Sequence, residues 1–223
     1  MATSGTTAFG LDILDIIEEA YEMVGVNVRA GYELKTARRS LDLLTKEWAN
    51  RGQNMWTIEE TSASIAASAV SETLETDTID VLDVLWRTGS GTTQSDRTMT
   101  RMAVTEWSHI ANKNQTGKPS MYWINRLVGG PVLYMWPVPE EAGTLVYYKM
   151  RRMEDTGAYT NTMDIPPRFY PAMTTGLAYY LAMKTPDAAD RIQMLQMEYE
   201  RQFRLASEED REKASIRLVP DCS

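Results

Sequence analysis

The sequence predicts an α+β protein in which helices from both ends of the chain form one bundle and a mostly antiparallel β domain, sandwich or barrel-like, is inserted between them. Three observations carry this. Apolar residues recur at helical spacing up to Gly52, alternate between about residues 55 and 152, and return to helical spacing after Pro166-Pro167. The implied organisation is a helical part over residues 1–54, a β-rich insertion over 55–152, a second helical part over 153–206 and an extended C-terminal arm over 207–223.

The first helix is expected over GLDILDIIEEAYEMVG, where Leu14, Ile17, Tyr21 and Val24 share a stripe and Gly25 stands ready to end it in a left-handed conformation. The second runs from about Arg29 to Asn50 or Arg51. Its stripe is Leu34, Ala37, Leu41, Leu44 and Trp48, with Glu33, Arg38, Asp42 and Lys46 on the other side and Gly52 as the stop.

At Met55 the period changes. MWTIEETSASI alternates and is rich in Thr, Ser and Ile, as strands are. TIDVLDVLWRT and RTMTRM are further strands, separated by the turn-rich TGSGTTQSD, and AVTEWSHIA is a short helix. A three-piece meander follows: SMYWINRLV, PVLYMWPVP and GTLVYYKMRRM. Gly129-Gly130-Pro131 and Glu140-Glu141-Ala142-Gly143 are each short enough to close a hairpin. In the middle piece Val132, Tyr134 and Trp136 face one way and Leu133 and Met135 the other. A strand apolar on both faces is buried twice over or meets another subunit. Tyr134 and Trp136, with Tyr147 and Tyr148 of the next piece, are therefore the candidate interface residues of the β domain.

Pro166-Pro167 opens a helix whose Met173, Leu177 and Leu181 share a face, ending near Lys184. Thr185-Pro186-Asp187 reads as a restart, with Thr185 as N-cap and Pro186 at the first helical position. Ile192, Leu195, Tyr199 and Phe203 form the stripe of the last helix. The charged ASEEDREKAS that follows is either a solvated helical extension, the reading preferred, or a disordered stretch, and the chain closes with IRLVPDCS.

Composition excludes several functions. Hydrophobic residues at 43% and charged residues at 24% describe an ordinary globular chain. MATSGTTAFG lacks the basic and apolar regions of a secretory signal, and no apolar run is long enough to span a membrane. With 31 acidic against 23 basic residues the net charge is −8, and Arg38-Arg39 and Arg151-Arg152 are isolated pairs. That balance argues against a protein that grips nucleic acid and permits a surface past which DNA slides.

No zincin, P-loop, dinucleotide or paired-cysteine motif occurs. His109 is the sole histidine and Cys222 the sole cysteine, near the end of the chain. Paired acids exist at Glu59-Glu60, Asp80 with Asp83, and Glu140-Glu141, but neighbouring acids on a strand point to opposite faces. The expectation is no catalytic residue, no cofactor and no metal, hence a protein that is not an enzyme. The 14 methionines read as adaptable core and interface filling.

Three stretches carry a family resemblance. ARRSLDLLTKEWANRGQNMWTIEE, with Trp48, Arg51, Gly52, Asn54 and Trp56, resembles the opening signature of podovirus head-to-tail adaptor proteins, the tail tubular or connector subunits. VLYMWPVPEEAGTLVYYKMRRMEDTG is similar to that family's hairpin, with its turn at Trp136 to Pro139. DIPPRFYPAMTTGLAYYLAMK resembles the helix after it, although Arg168-Phe169 stands where the family often has Glu-Phe. The match runs from about residue 34 to 184 and leaves residues 88–118 without a counterpart.

The resemblance implies a structural subunit of the tailed-phage virion neck, made in the host cytoplasm. Such adaptors form a homo-oligomeric ring, usually of twelve copies, that joins the portal protein to a tail nozzle or tube. The ring encloses the channel through which viral double-stranded DNA is ejected without specific binding, and no membrane is involved. The C-terminal segment reaches along the portal, so Ile216, Arg217, Leu218, Val219 and Pro220 become the candidate portal-docking residues. The alternatives are another neck, stopper or decoration protein, a virion-associated glycan hydrolase, or a DNA-binding packaging factor, the last disfavoured by charge.

Overall fold

The computed structural model describes Gly5 and residues 9–26, 31–52 and 55–210, and it is α+β. The described chain forms two compact units, one from the two ends up to Trp56 and from Met153 onward, the other from Thr57 to Arg152.

The helical unit begins with α1 (Ile13–Val24). Asp12 caps it, accepting from the Asp15 N–H at 2.8 Å while Asp15 accepts from the Asp12 N–H at 3.2 Å. Gly25 closes it at φ +83°, as its position predicted. α2 (Gly31–Asn50) buries Ala37, Leu41, Leu44 and Trp48 of the expected stripe and leaves Leu34 half-buried.

After the insertion, a short 3-10 turn over Pro167–Phe169 leads into α4 (Tyr170–Ala182), counting the small α3 of the β unit. α4 is apolar on more than the one face expected. Ala172, Met173, Gly176, Leu177, Ala178 and Leu181 are all buried, because α1, α2 and α5 pack around it. Gly176 makes this possible, since a Cβ there would lie 2.9 Å from both Leu44 and Tyr199. The restart at Pro186 gives a 3-10 segment (Pro186–Arg191) before α5 (Ile192–Glu209). Thr185 does not cap it: its hydroxyl donates back to the Leu181 carbonyl at 3.0 Å. α5 ends at Glu209, so ASEEDREKAS is helical only over its first four residues, Asp210 has left the helix and the rest lies outside the described residues. Leu195, Tyr199 and Phe203 line the buried face of α5.

The β unit holds two four-stranded sheets. The first has the order β1-β10-β3-β4, from β1 (Ile58–Ile65), β3 (Thr78–Thr88), β4 (Ser95–Thr98) and β10 (Gly143–Arg151). The second has the order β2-β8-β7-β5, from β2 (Ser71–Thr73), β5 (Thr100–Arg101), β7 (Met121–Asn125) and β8 (Val132–Trp136). One core takes Val84, Leu145 and Tyr147 from the first sheet and Tyr122, Leu133 and Met135 from the second. The arrangement is a sandwich, with no closed barrel among the described residues. β1 and β10, the first and last strands, are antiparallel neighbours with Ile58 opposite Met150.

One expectation changes here. The β7–β8 hairpin forms over Gly129-Gly130, but Glu140–Gly143 does not close a second one. Pro137 and Pro139 have no N–H to continue the ladder. The intervening β9 (Val138–Pro139) pairs in parallel with β6 (Thr116–Gly117), and the chain then crosses to the other sheet, where β10 enters between β1 and β3. The segment 88–118 likewise crosses sheets, through β4, β5 and the one-turn helix α3 (Val104–His109).

Candidate interaction surfaces

α1 buries Ile13, Ile16, Ile17, Ala20, Tyr21 and Val24, which leaves Asp15, Glu18, Glu19 and Glu22 as one exposed stripe. That stripe walls a groove of about 830 Å³ between α1 and the start of α4. Its apolar lining includes Phe9, Leu11, Pro167 and Tyr170, with Phe9 72% exposed and edge-on to Tyr170 at 6.5 Å. The outward face of α2 has the opposite character. Tyr32, 77% exposed, leads Lys35 and Arg39 along one line, and Arg38 beside them lies over Tyr159 at 5.7 Å.

Near the end of α2 the residues that carried the family resemblance tie three helices together. Arg51 forks to Glu47 within α2 and to Glu200 of α5 at 2.7 and 2.8 Å, and stacks over Phe203 at 4.7 Å and Tyr199 at 5.2 Å. Glu47 also accepts from Tyr180 at 2.9 Å and Tyr199 at 3.3 Å. Burial, then the hydrogen bond to Glu47, pushes the Tyr180 hydroxyl up to about 12. Burial, then the charge of Glu47, pushes Tyr199 up as well. The hydrogen bond from Arg51 holds Glu200 below the usual carboxylate range. Trp56 reaches across to the Asp164 carbonyl at 3.0 Å, and Trp48 packs on Phe169 and Phe203. Arg168, where the resembled pattern has an acid, forms an ion pair with Asp210 just beyond α5.

The four tyrosine and tryptophan candidates of the β unit divide. Tyr134 is half-buried in a stack with Trp123 at 5.3 Å and Trp107 at 5.6 Å, so α3 covers the second face of β8. Trp136, also half-buried, donates to the Asn112 carbonyl at 3.1 Å. Tyr148 donates to Glu60 at 2.9 Å on the outer side of its sheet. Tyr147 is 3% exposed, and its ring belongs to the core of its own unit. The sequence reading passed over the tip of the β7–β8 hairpin, where Leu127 and Val128 are exposed, Val128 fully. An aliphatic pair directly before Gly-Gly was its signal.

The candidate chemical residues are dispersed. His109 is exposed at the end of α3. Glu59 and Glu60 lie on opposite faces of β1, one paired with Arg151 at 2.5 Å and the other accepting from Tyr148. Asp80 is held by Arg101 at 2.9 Å and by Arg126. Lys149 is 2% exposed inside the β unit, paired with Glu75 and with Asp77 at 3.1 Å. Burial lowers its pKa, but the hydrogen bonds it donates to these two acids outweigh that and raise it. Among the described residues no group of three or more His, Cys, Asp or Glu side chains is placed to hold a metal, and no helix is long and apolar enough to cross a membrane. The docking candidates Ile216, Arg217, Leu218, Val219 and Pro220, and Cys222, lie outside the described residues.

A family model described as SU10 adaptor protein matches residues 12–219, from the cap of α1 to beyond the end of α5. No curated protein matches the chain.

Proposed function

Since the chain belongs to the SU10 adaptor protein family, a family of phage head-to-tail adaptors, we propose that copies of it form a ring in the virion neck that joins the portal to the tail. The family match over residues 12–219 is the observation that carries this reading. The ring has twelve copies, binds the portal protein on one side and a tail nozzle or tube on the other, and surrounds the path of the ejected double-stranded DNA. A net charge of −8 supports such a conduit, because each cation bound to phosphate would add affinity and slow the moving strand. Residues 216–220 are the segment proposed to dock on the portal, by burying three aliphatic side chains in shallow pockets.

The role is structural rather than catalytic. The solitary exposed His109 and the commitment of Glu59 and Asp80 to ion pairs favour that reading. The helical unit, with Trp48 and Arg51 fastening α2 to α5, supplies a rigid wall for a ring, and the apolar Leu127-Val128 tip supplies a second contact on the β unit.

Incubating the full-length protein with purified portal rings, followed by electron microscopy, tests this. A second ring of twelve subunits on one end of the portal is expected. Failure to bind portals at any concentration that keeps the protein soluble overturns the reading. His109→Ala and the double variant Glu140→Ala/Glu141→Ala should attach as well as the wild type.

A further inference from the structure

We propose that neighbouring copies in the ring contact each other head to tail through the helical unit, the α2 stripe of Tyr32, Lys35 and Arg39 on one copy seating in the acidic groove between α1 and α4 on the next. The proposal rests on the ring reading above and names the partner of a surface that reading leaves unspecified: a second copy of this chain.

A ring closed by rotation needs two different patches on each subunit, complementary to each other and sharing no residues. The helical unit presents such a pair. One patch is concave, about 830 Å³ in volume, floored by Phe9 and Tyr170 and walled by Asp15, Glu18, Glu19 and Glu22. The other is the outward face of α2, where an exposed tyrosine is followed by two cations one and two turns on, at positions 32, 35 and 39.

The two match in chemistry. Tyrosine is among the residues that anchor interfaces, because it buries a large rigid ring and keeps a hydroxyl for the polar rim. Phe9 and Tyr170 already meet edge-on and leave the Phe9 ring largely bare, a surface suited to receiving a third aromatic ring. Around that anchor, carboxylates on one copy face Lys35 and Arg39 on the other.

The arrangement also disfavours the wrong pairing. Two acidic grooves, or two basic stripes, set face to face repel each other, so a symmetric dimer through either patch is opposed. Each copy then has one donor face and one acceptor face, and addition proceeds in one direction until the ring closes.

Charge reversal in the full-length protein tests the pairing. Glu18→Lys/Glu19→Lys/Glu22→Lys leaves only Asp15 of the four groove acids and makes both patches basic, and Lys35→Glu/Arg39→Glu makes both acidic. Each variant alone should lose ring formation on portals, its subunit–subunit association falling at least about tenfold, while circular dichroism melting stays as in the wild type. Mixed in equal amounts the two should regain rings, because every groove then meets a stripe of opposite sign. Tyr32→Ala should weaken association without changing charge, and about 0.5 M salt should weaken the wild type.

Rings formed by either variant alone at wild-type concentration overturn this interface and leave the ring reading standing, as does a mixture that fails to recover. Wild-type protein that binds portals only as single subunits overturns the ring reading itself.

Discussion

The indole N–H of Trp48 donates to the hydroxyl oxygen of Tyr199 at 2.9 Å, although the two residues stand at opposite ends of the chain and both are fully buried. The Tyr199 hydroxyl in turn donates to Glu47 at 3.3 Å, which Arg51 holds in place. A buried donor is thereby satisfied through a relay that ends on a paired charge. Tyr199→Phe would strand the indole N–H and is expected to lower unfolding free energy by about 1–3 kcal/mol in urea titration. Trp48→Phe, which removes the donor with the ring, should cost no more, and Trp48→Ala should cost about 3–5 kcal/mol through its cavity.

Gly176→Ala is expected to destabilise the protein although alanine is the better helix former. The propensity gain is about 1 kcal/mol. Against it, the added methyl would press on Leu44 and Tyr199 at 2.9 Å, and overpacking of that kind costs about 1–3 kcal/mol or more. A melting temperature above that of the wild type would contradict the close approach of α4 to α2 and α5.

Arg51→Lys should not behave as a conservative change. Lysine keeps the charge but loses the fork to Glu47 and Glu200 and the stack on Phe203, for a loss of about 1 kcal/mol at this partly exposed site. The pH dependence follows from Glu200. Its pKa is depressed in the folded state, so its contribution is complete above the unfolded value of about 4.3 and disappears as pH falls through the folded value. Melting curves of Arg51→Lys and wild type should therefore converge in acid.

At the alkaline end the sign reverses. Tyr180 and Tyr199 are both raised, Tyr180 to about 12, so the stability they contribute is present below the unfolded value of about 10 and lost as pH climbs toward the folded one. Glu47→Gln removes one cause of both shifts. It should flatten the fall in melting temperature between about pH 10 and pH 12.

Lys149 allows the energetics of a buried charge to be separated from its geometry. Lys149→Met keeps the volume of the stem and leaves Glu75 and Asp77 partly hydrated, so a change within about 1 kcal/mol is expected. Glu75→Ala/Asp77→Ala leaves the ammonium buried with only Glu59 at 3.8 Å and should cost about 2–4 kcal/mol by denaturant titration. A larger loss for the methionine variant than for the double alanine would mean that the pairs stabilise the fold outright.

What the sequence made legible and what it hid follow from the range over which each feature is decided. The stripe from Ala37 to Trp48, the αL stop at Gly25 and the switch to alternation near Ile58 are local, and periodicity within one segment reveals them. The failed hairpin over Glu140–Gly143 was a matter of partners: β10 finds β1 and β3, distant in sequence, and two-residue parallel ladders such as β6–β9 carry no periodic signal at all. Thr185 had the composition of a cap but found the Leu181 carbonyl closer to hand. For the candidate surfaces, the acid row on α1 was visible as the far side of an amphipathic helix. The apolar floor that turns that row into a groove comes from Phe9, Pro167 and Tyr170, and only tertiary packing joins them. Tyr147 looked like its neighbour Tyr148, yet strand alternation sends one ring inward and the other outward.

The pairing of Ile58 with Met150 has a further consequence for the helices on either side of it. To the bundle, residues 57–152 are a loop, and a flexible loop of that length costs about 2–3 kcal/mol more to close than one of a few residues. Once β1 and β10 have zipped together, the two points of attachment stand one strand spacing apart, about 5 Å. The insertion then behaves toward the helices as a tight tether whatever lies beyond the zipped pair. Length can be added or removed at the far turns without changing what the helices experience, which makes the β unit a cassette: exchangeable in a chimera provided the strands at its base still close.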